Sequence, residues 1–289
     1  MLYAENREQL DSLIRPWRRN GLLTALVPTM GNLHEGHLAL VDAARRVADK
    51  VVASVYVNPT QFGEGEDFER YPRTLESDRQ LLEKAGCDLV FVPDNRTMYP
   101  RGLENAVRLT APADLATVLE GANRPGHFDG VITVVARLFN LARPDIAVFG
   151  EKDYQQLQVI RRMVEDLGYE VRILPVPTVR EANGLAMSSR NNYLDPEQKE
   201  AAGSLNEVLQ DIVDRMKCDG AGSGLLEEEA SARLESRGLR VDYVAVRRSV
   251  DLAMPRAGDR ELRILAAVWC GETRLIDNMA LNKVGIHDI

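Results

Sequence analysis

Between residues 4 and 180, short apolar runs rich in β-branched residues alternate with longer amphipathic stretches of helical spacing. Because strands and helices alternate, we expect an α/β domain, a Rossmann-like, doubly wound parallel sheet covered by helices. The apolar runs predict strands at 22–27, 51–57, 89–92, 146–149 and 171–176. The amphipathic stretches predict helices at 7–19, 38–48, 75–85, 131–141 and 154–167.

The pattern changes near Pro175 and Pro177, which interrupt strand pairing and precede a turn-forming Glu-Ala-Asn-Gly segment. We place a domain boundary there, with residues 1–177 as the first domain and 178–289 as a smaller C-terminal α+β domain. The elements predicted in the second domain are helices at 196–216 and 225–236 and strands at 241–246 and 262–269.

The composition is that of a globular protein, with 45% hydrophobic and 28% charged residues. The chain carries 36 Lys and Arg against 44 Asp and Glu, a formal net charge of −8. This charge repels polyanions, so we expect no nucleic acid partner. An anionic small-molecule substrate would need a locally basic pocket, which directs attention to clustered His, Lys and Arg side chains.

Cysteine usage and the N-terminus predict the compartment. The 3 cysteines are widely spaced, which favours a reducing environment over a disulfide framework. The first residues lack the features of a signal peptide, and no run reaches the ~18 apolar residues of a membrane span. We therefore expect a cytoplasmic protein with no membrane association.

Polar, turn-forming segments follow three of the predicted strands. Pro-Thr-Met-Gly-Asn-Leu-His-Glu-Gly-His spans 28–37, Asn-Pro-Thr-Gln-Phe spans 58–62 and Gly-Glu-Lys-Asp spans 150–153. Ligands of parallel α/β sheets bind at the carboxyl ends of the strands, where these segments lie. They are therefore the candidate site.

His34 and His37 belong to a set of only 4 histidines, the others being His127 and His287. Their spacing places both rings on one face of a helix start. A helix N-terminus binds anions through free backbone N–H groups, and Gly36 would let a phosphate approach closely. The pair fits a phosphate site or a hydrogen-bonded, capped helix start, and both interpretations stay open. A zinc site is disfavoured because the spacing is not His-Glu-x-x-His.

Two further groups could add charge. Lys152 taken alone would be a solvated lysine, but at a strand end of a doubly wound sheet it would lie beside the histidine loop. Ser188, Ser189 and Arg190 supply two hydroxyls and a guanidinium in consecutive positions, which suits phosphate oxygens, although such a triplet is ordinarily a surface turn.

Residues 28–37 also resemble the His-x-Gly-His signature of the nucleotidyltransferase superfamily. The whole string Pro-Thr-Met-Gly-x-Leu-His-x-Gly-His resembles the form found in pantothenate synthetases (pantoate–β-alanine ligases), with Asn32 where alanine is frequent. Similar strings continue in the same order over nearly the whole chain. They are Asn58-Pro59-x-Gln61-Phe62, Tyr71-Pro72-Arg73-Thr74, Arg124-x-Gly126-His127-Phe128-x-Gly130-Val131, Pro144-Asp145-x-Ala147-x-Phe149-Gly150-Glu151-Lys152-Asp153-x-Gln155-Gln156, Ser188-Ser189-Arg190-Asn191 and Arg274-Leu275-Ile276-Asp277-Asn278.

The resemblance implies an enzyme that condenses (R)-pantoate with β-alanine to give pantothenate. The reaction would use ATP, pass through a pantoyl adenylate and release AMP and pyrophosphate. The family also implies Mg²⁺ as a cofactor, a homodimer, and a C-terminal domain that closes over the nucleotide.

The resemblance also assigns site residues. His34, His37, Lys152 and Arg190 would be catalytic, stabilising charge on the phosphates, and no metal ligand is assigned. The residues implied to bind ATP are Met30, Gly31, Asn32, Leu33, His34, Glu35, Gly36, His37, Gly150, Glu151, Lys152, Asp153, Val179, Met187, Ser188, Ser189 and Arg190.

Gln61 and Gln156 would bind pantoate or β-alanine. Their neutral amides can hold carboxylate and hydroxyl oxygens without an ion pair, which would leave the carboxylate nucleophilic. Arg124 and His127 lie in a glycine-rich turn and are interpreted as shaping a loop outside the central site. Arg73 with the acidic segment 63–67 is a hypothetical flap.

Three alternatives are weighed against this interpretation. Another nucleotidyltransferase with a phosphorylated acceptor would favour cations where Gln61 and Gln156 stand. A catalytically silent nucleotide-binding protein would have no need for two histidines, a lysine and an arginine together. A nucleic-acid-binding module would need a basic stripe, which the spacing of charges does not show.

Overall fold

The computed structural model describes residues 1–63, 65–218 and 223–282, so His287 lies outside the described residues. The chain forms two compact units. Unit 1 comprises Met1–Glu151 and Gln156–Pro177, and unit 2 comprises Lys152–Gln155 together with the described residues from Thr178 onwards. Each unit has its own sheet and its own hydrophobic cluster.

Unit 1 is built on a six-stranded sheet. Its strands are β1 (Leu2–Ala4), β2 (Thr24–Thr29), β3 (Lys50–Val55), β4 (Leu89–Phe91), β5 (Ile146–Gly150) and β6 (Arg172–Val176). They lie in the order β1-β4-β3-β2-β5-β6, and all neighbours are parallel. The chain moves outward from β2 to β4 and then returns to β5 on the other side, so the topological switch point lies between β2 and β5. The predicted doubly wound parallel sheet is confirmed.

The helices of this part of the chain pack apolar stripes against the sheet. Val41 and Ala44 of the second helix are fully buried with Val27 and Val51 of the strands. The helices are α1 (Arg7–Arg19), α2 (Glu35–Arg45), α3 (Leu75–Lys84), α4 (Asn95–Met98), α5 (Ala113–Ala116), α6 (Glu120–Asn123), α7 (His127–Ala142) and α8 (Tyr154–Asp166), with 3-10 turns at Pro59–Gln61 and Glu151–Asp153.

Unit 2 contains helices α9 (Pro196–Cys218) and α10 (Ser223–Glu235) and an antiparallel sheet of β7 (Arg240–Arg248), β8 (Glu261–Cys270) and β9 (Thr273–Asn282) in that order. Leu205 and Ile212 of α9 and Leu234 of α10 form one core with Ile264 of β8. The smaller C-terminal α+β architecture is therefore confirmed. No described helix is long and apolar enough to cross a membrane.

The boundaries differ from the predictions where tertiary pairing decides them. Strand β2 runs past Val27 through Pro28 to Thr29, although a proline would be expected to end it. Pairing of β2 with β5 ends at Leu26, whereas pairing with β3 continues to Thr29. Pro28 is tolerated because the side of β2 without a partner strand requires no ladder donor there.

Several elements begin earlier than predicted or were missed. Helix α2 begins at Glu35, not residue 38, because His34 caps it. Strand β1 was not predicted, and neither was β9. Asp277 and Asn278 in the middle of β9 do not match an apolar strand pattern, and their burial comes from tertiary partners.

Helix α7 touches the 3-10 turn Pro59–Gln61 through a glycine. A Cβ on Gly130 would lie 2.2 Å from the Thr60 carbonyl oxygen and 2.7 Å from Gln61 Cα.

We expect Gly130→Ala to lower the free energy of unfolding by about 1–3 kcal/mol, because the backbone must move. Urea denaturation measures this. Gly224→Ala is the matched control, since its Cβ would meet nothing within 4 Å, and an equally small effect of both changes would contradict the prediction.

Candidate active site

A buried carboxylate holds the loop that follows β2. Asp78, on α3, is 1% exposed and accepts the backbone N–H groups of Asn32 at 3.0 Å and Leu33 at 2.8 Å. The loop turns through positive φ angles at Gly31 (83°) and Asn32 (51°). A side chain on Gly31 would reach within 2.9 Å of Asp78, and asparagine tolerates the left-handed region better than alanine does. The loop therefore has one fixed shape.

His34 and His37 cap helix α2 through the same ring atom. Nδ1 of His34 accepts the Gly36 N–H at 3.2 Å, and Nδ1 of His37 accepts the His34 N–H at 3.3 Å. Since Nδ1 is an acceptor in both rings, the proton of each neutral imidazole is on Nε2. The ring centroids are 4.1 Å apart and the ring planes are tilted by 42°, so the two imidazoles lie in contact with each other.

The capped helix start and the phosphate site are therefore compatible interpretations. Capping sets the tautomer and orientation of each ring, and the tautomer presents Nε2–H as a donor. The partial positive charge at the start of α2 favours an anion in the same region. The two rings and the helix start can therefore bind and stabilise negative charge through oriented N–H donors.

Gln61 lies against this loop and is oriented by Asn58. The Gln61 side-chain nitrogen is 3.3 Å from the sulfur of Met30. Asn58 is 1% exposed, and its Nδ2 donates to Gln61 Oε1 at 3.1 Å and to the Gly130 carbonyl at 3.2 Å. Asn58 Oδ1 accepts the Tyr99 hydroxyl at 2.8 Å. Because Oε1 of Gln61 accepts from Asn58, the amide of Gln61 is held in one orientation.

Arg124 and His127 support the backbone at Gln61. Nδ1 of His127 lies 2.7 Å from the Gln61 carbonyl oxygen, which only accepts, so Nδ1 carries the proton. Nε2 of His127 then accepts from Arg124 at 3.0 Å. Arg124 also donates to both carboxylate oxygens of Glu66 at 2.7 and 2.6 Å. Burial alone would raise the pKa of Glu66, but the hydrogen bonds and charge of Arg124 hold that pKa below its ordinary value.

In unit 2, a short hairpin leads into the serine–arginine segment. Met187 N–H donates to the Val179 carbonyl at 2.9 Å, and the hairpin ends at Ser188. Ser188 Oγ accepts the Arg190 N–H at 3.3 Å and caps the 3-10 turn Ser189–Tyr193. Ser188, Ser189 and Arg190 are all partly exposed. The structure therefore presents this triplet at the start of a turn, with backbone and hydroxyl donors close together.

Lys152 and Gln156 fall in different units. The Lys152 side chain is partly buried, with Nζ 3.9 Å from Asp153 Oδ1, and its carbonyl accepts a hydrogen bond from Asn278 at 2.7 Å. Gln156 is partly exposed on α8 in unit 1. Gly150, at the carboxyl end of β5, borders the switch point next to β2.

The sequence interpretation missed two polar residues that shape this site, Asp78 and Asn58. Asp78 lies on the buried stripe of α3 formed with Leu75 and Leu82, so an acid on an apolar helix face was the available signal. Asn58 lies in a polar segment singled out at a strand end, but nothing local distinguishes it from a turn former. Among residues 1–63, 65–218 and 223–282, no group of three or more His, Cys, Asp or Glu side chains could hold a metal ion.

The fold and this loop define a class, an α/β protein with an anion-binding loop at the switch point of a doubly wound sheet. The model of the pantoate–β-alanine ligase family matches residues 3–280, and the chain belongs to this family. It is an enzyme that joins pantoate to β-alanine in an ATP-dependent reaction. The predicted family, fold class and enzyme class are confirmed, and the three alternatives are set aside.

The chain is similar to curated relatives and to solved structures over almost its full length. The chain is 52% identical to pantothenate synthetase of Thioalkalivibrio sulfidiphilus over 282 residues, covering 98% of each chain. It is 54% identical to pantothenate synthetase of Xanthomonas axonopodis pv. citri over 271 residues, covering 93% of this chain and 96% of the relative. The crystal structure of pantothenate synthetase from Thermus thermophilus matches with a TM-score of 0.89 at 45% identity, covering 98% of this chain and 100% of the other. A pantoate–β-alanine ligase from Francisella tularensis, complexed with β,γ ATP and β-alanine, matches with a TM-score of 0.82 at 34% identity, covering 99% of both chains.

Replacing the buried carboxylate tests its hold on the loop. Asp78→Asn places an amide N–H₂ against a backbone N–H, so we expect about 1–3 kcal/mol of lost stability and a lower rate of ATP-dependent ligation. Asp145→Asn is the control, because Asp145 accepts from Thr24 N–H at 2.7 Å at the other end of β2. It should lower stability without changing the ligation rate. Equal rate losses in both variants would show that Asp78 acts only on stability.

His127 should make stability depend on pH. Burial, and secondarily the charge of Arg124, lowers its pKa from 6.5 to about 4. Between these two pKa values the unfolded chain is protonated at His127 and the folded protein is not. The free energy of unfolding therefore falls as the pH drops from 6.5 towards 4. We expect a loss on the order of 1–3 kcal/mol, measured as the free energy of urea unfolding against pH.

His127→Gln is the comparison, because glutamine can donate and accept but does not titrate. Carboxylates such as Glu66 contribute mainly at lower pH, so the slopes are compared between pH 5 and 6.5. The variant should lose the slope assigned to His127. Identical slopes in the two proteins would contradict the assignment.

Proposed function

We propose that this protein activates pantoate as an acyl adenylate before β-alanine reacts. A carboxylate oxygen of pantoate attacks the α-phosphorus of ATP, the bond to the bridging oxygen of the β-phosphate breaks, and pyrophosphate leaves. The amine of β-alanine then attacks the acyl carbon and loses a proton, and AMP departs with the electron pair of the acyl C–O bond. Activation is required because a free carboxylate does not react with an amine at neutral pH.

The observation that carries this proposal is the contacting pair of imidazoles of His34 and His37, each oriented by a bond to its Nδ1, on the loop at the carboxyl end of β2. Phosphoryl-type transfer requires positioning and charge stabilisation more than a covalent nucleophile. Two neutral donors fixed in advance would stabilise the charge that grows on the phosphate oxygens during attack.

Unit 2 is proposed to supply the cations. Lys152 and Arg190 would neutralise phosphate charge, with Ser188 and Ser189 donating hydrogen bonds. In this proposal, a nucleotide bound by the domain of residues 1–177 is covered by the smaller domain of residues 178–289. The other residues that we place around ATP are Met30, Gly31, Asn32, Leu33, Glu35, Gly36, Gly150, Glu151, Asp153, Val179 and Met187.

Gln61 and Gln156 are proposed to bind pantoate or β-alanine. The fixed amide of Gln61, with its oxygen taken by Asn58 and its nitrogen beside Met30, supports its role as a donor to substrate oxygens. A neutral donor orients a carboxylate without an ion pair, which keeps the carboxylate nucleophilic for attack on phosphorus.

Mg²⁺ is proposed to accompany ATP, held mainly by phosphate oxygens and water, as Mg²⁺ commonly is at nucleotide sites. When bound, it would neutralise charge on the phosphates. We also propose that the enzyme works as a homodimer in the cytoplasm. Few cysteines, of which Cys87 and Cys270 are buried free thiols, support a reducing compartment.

Isotope exchange tests the adenylate step. Labelled pyrophosphate should exchange into ATP only when pantoate is present, because the first step is reversible before β-alanine attacks. Exchange without pantoate, or no exchange at all, would contradict the proposed intermediate.

Two substitutions of His37 separate its two ring nitrogens in the same assay. His37→Asn keeps an acceptor near the Nδ1 position and removes Nε2, so the cap should survive while exchange falls on the order of 10²-fold or more. His37→Gln reaches the Nε2 position and should lose less. If His37→Asn exchanged at the parent rate, the histidine would serve only as a cap.

A further inference from the structure

Strand β9 carries two adjacent buried polar residues outside the site described above. Asp277 is 3% and Asn278 4% exposed, and they pair across the sheet with Ala266 and Leu265. Successive residues of a strand point to opposite faces, so the two side chains can reach different segments of unit 2. A polar pair in this position needs partners, because an unsatisfied buried polar group is costly.

Asp277 holds the hairpin that leads to the serine–arginine segment. Its two oxygens accept from Arg180 at 2.6 and 3.0 Å, and Arg180 also donates to the Gly184 carbonyl at 3.0 Å. Arg180 lies beside Val179 and pairs with Ala186 across the hairpin. A bidentate, charge-assisted pair of this kind fixes both distance and orientation. The position of Ser188, two residues beyond Ala186, therefore depends on Asp277.

Asn278 holds the backbone of Lys152. Its Nδ2 donates to the Lys152 carbonyl at 2.7 Å, and its Oδ1 accepts from Arg263 Nε at 2.6 Å. Arg263 lies over the Tyr154 ring, with 4.0 Å from the guanidinium carbon to the ring centroid. The Tyr154 hydroxyl in turn donates to the Ser249 carbonyl at 3.0 Å. The segment that carries Lys152 is thus attached to the β-sheet of unit 2 by both a hydrogen bond and a stacking contact.

The chemistry of each side chain matches its position. Arg263 Nε can only donate and the Lys152 carbonyl can only accept, so position 278 needs one acceptor and one donor, which an amide provides and a carboxylate does not. Position 277 faces a guanidinium and also accepts the Asn278 N–H at 2.7 Å, so it needs only acceptors. An acid followed by its amide meets both requirements.

We propose that Asp277 and Asn278 are positioning residues for the adenylation step. Through adjacent residues of one strand they set the placement of Lys152 relative to Ser188, Ser189 and Arg190 within unit 2. The inference rests on the proposed role of those residues at the ATP phosphates. It gives a function to the Asp-Asn pair of the Arg-Leu-Ile-Asp-Asn string near the C-terminus.

Asn278→Asp tests the contact to Lys152. The substitution keeps the acceptor for Arg263 but places a carboxylate oxygen against the Lys152 carbonyl. We expect the kcat of pantoate-dependent pyrophosphate exchange to fall about 10- to 100-fold, because small misplacements of charge-stabilising groups are costly. Amide formation from prepared pantoyl adenylate and β-alanine should change much less, since no pyrophosphate leaves in that step. Asp277→Asn should give the same pattern.

Arg274→Gln is the matched control on the same strand. Arg274 donates to Asp242 at 2.7 Å, so its ion pair holds neither the Arg180 hairpin nor the Lys152 segment. It should reduce thermal stability as much as the test variants while both rates stay near the parent values. Should Asn278→Asp fail to fold, Asn278→Ser removes the bond to Lys152 without adding charge, and its two rates decide the question.

The outcomes separate this inference from the proposed function. Parent-like exchange in either test variant, or a parallel loss of both rates in proportion to lost stability, overturns the positioning role of that residue. If Lys152→Ala and Arg190→Ala also exchange normally, the assignment of the phosphate site itself fails. Loss of exchange in those two variants alone would leave the site assignment intact and reject only the positioning role.

Discussion

The separation of β2 from β5 after Leu26 is the constraint on which the candidate site of unit 1 depends. Strand β2 remains paired with β3 up to Thr29 but loses its other neighbour three residues earlier. This parting is what an open sheet produces at its switch point, where the chain reverses its direction of winding. The loop that carries His34 and His37 starts at this end of β2, which is paired on one side only. The same end contains Pro28, a residue that a strand paired on both sides would not tolerate.

Loops at such a strand end are not fixed by the backbone hydrogen bonds of the sheet. In this protein, side-chain hydrogen bonds fix them instead. Asp78 accepts two backbone N–H groups of the histidine loop, the two imidazoles cap the helix that follows, and Asn58 fixes the glutamine turn. Unit 2 uses the same device, since Asp277 and Asn278 hold two segments from one strand. In both units a buried polar group is satisfied by the segment that it holds in place, so stability and site geometry come from the same bonds.

The electrostatics of unit 1 also follow from these contacts. A chain with a formal charge of −8 does not attract a polyanion by its overall field. The histidine loop can bind an anion despite this net charge because it supplies oriented N–H donors. Capping uses Nδ1 of each ring as an acceptor, so Nε2 carries the proton and is the donor. His127 shows the opposite tautomer, since its Nδ1 faces a carbonyl and its Nε2 faces Arg124. The role of each histidine is thus set by its neighbours and not by its residue type.

The sequence by itself determined the alternation of strands and helices, the polar strand ends and the family, because apolar periodicity, turn chemistry and contiguous motifs are local properties. It did not predict β1 or β9, the continuation of β2 through Pro28, or the start of α2 at Glu35, since each depends on pairing or capping partners. It also gave no role to Asp78, although an acid on the apolar face of α3 was a visible signal, or to Asn278, which appeared only within a family string. Their roles exist only because Asp78 meets Leu33, and Asn278 meets Lys152, across many residues of chain. Only the tertiary structure brings such partners together, and burial then makes each contact specific.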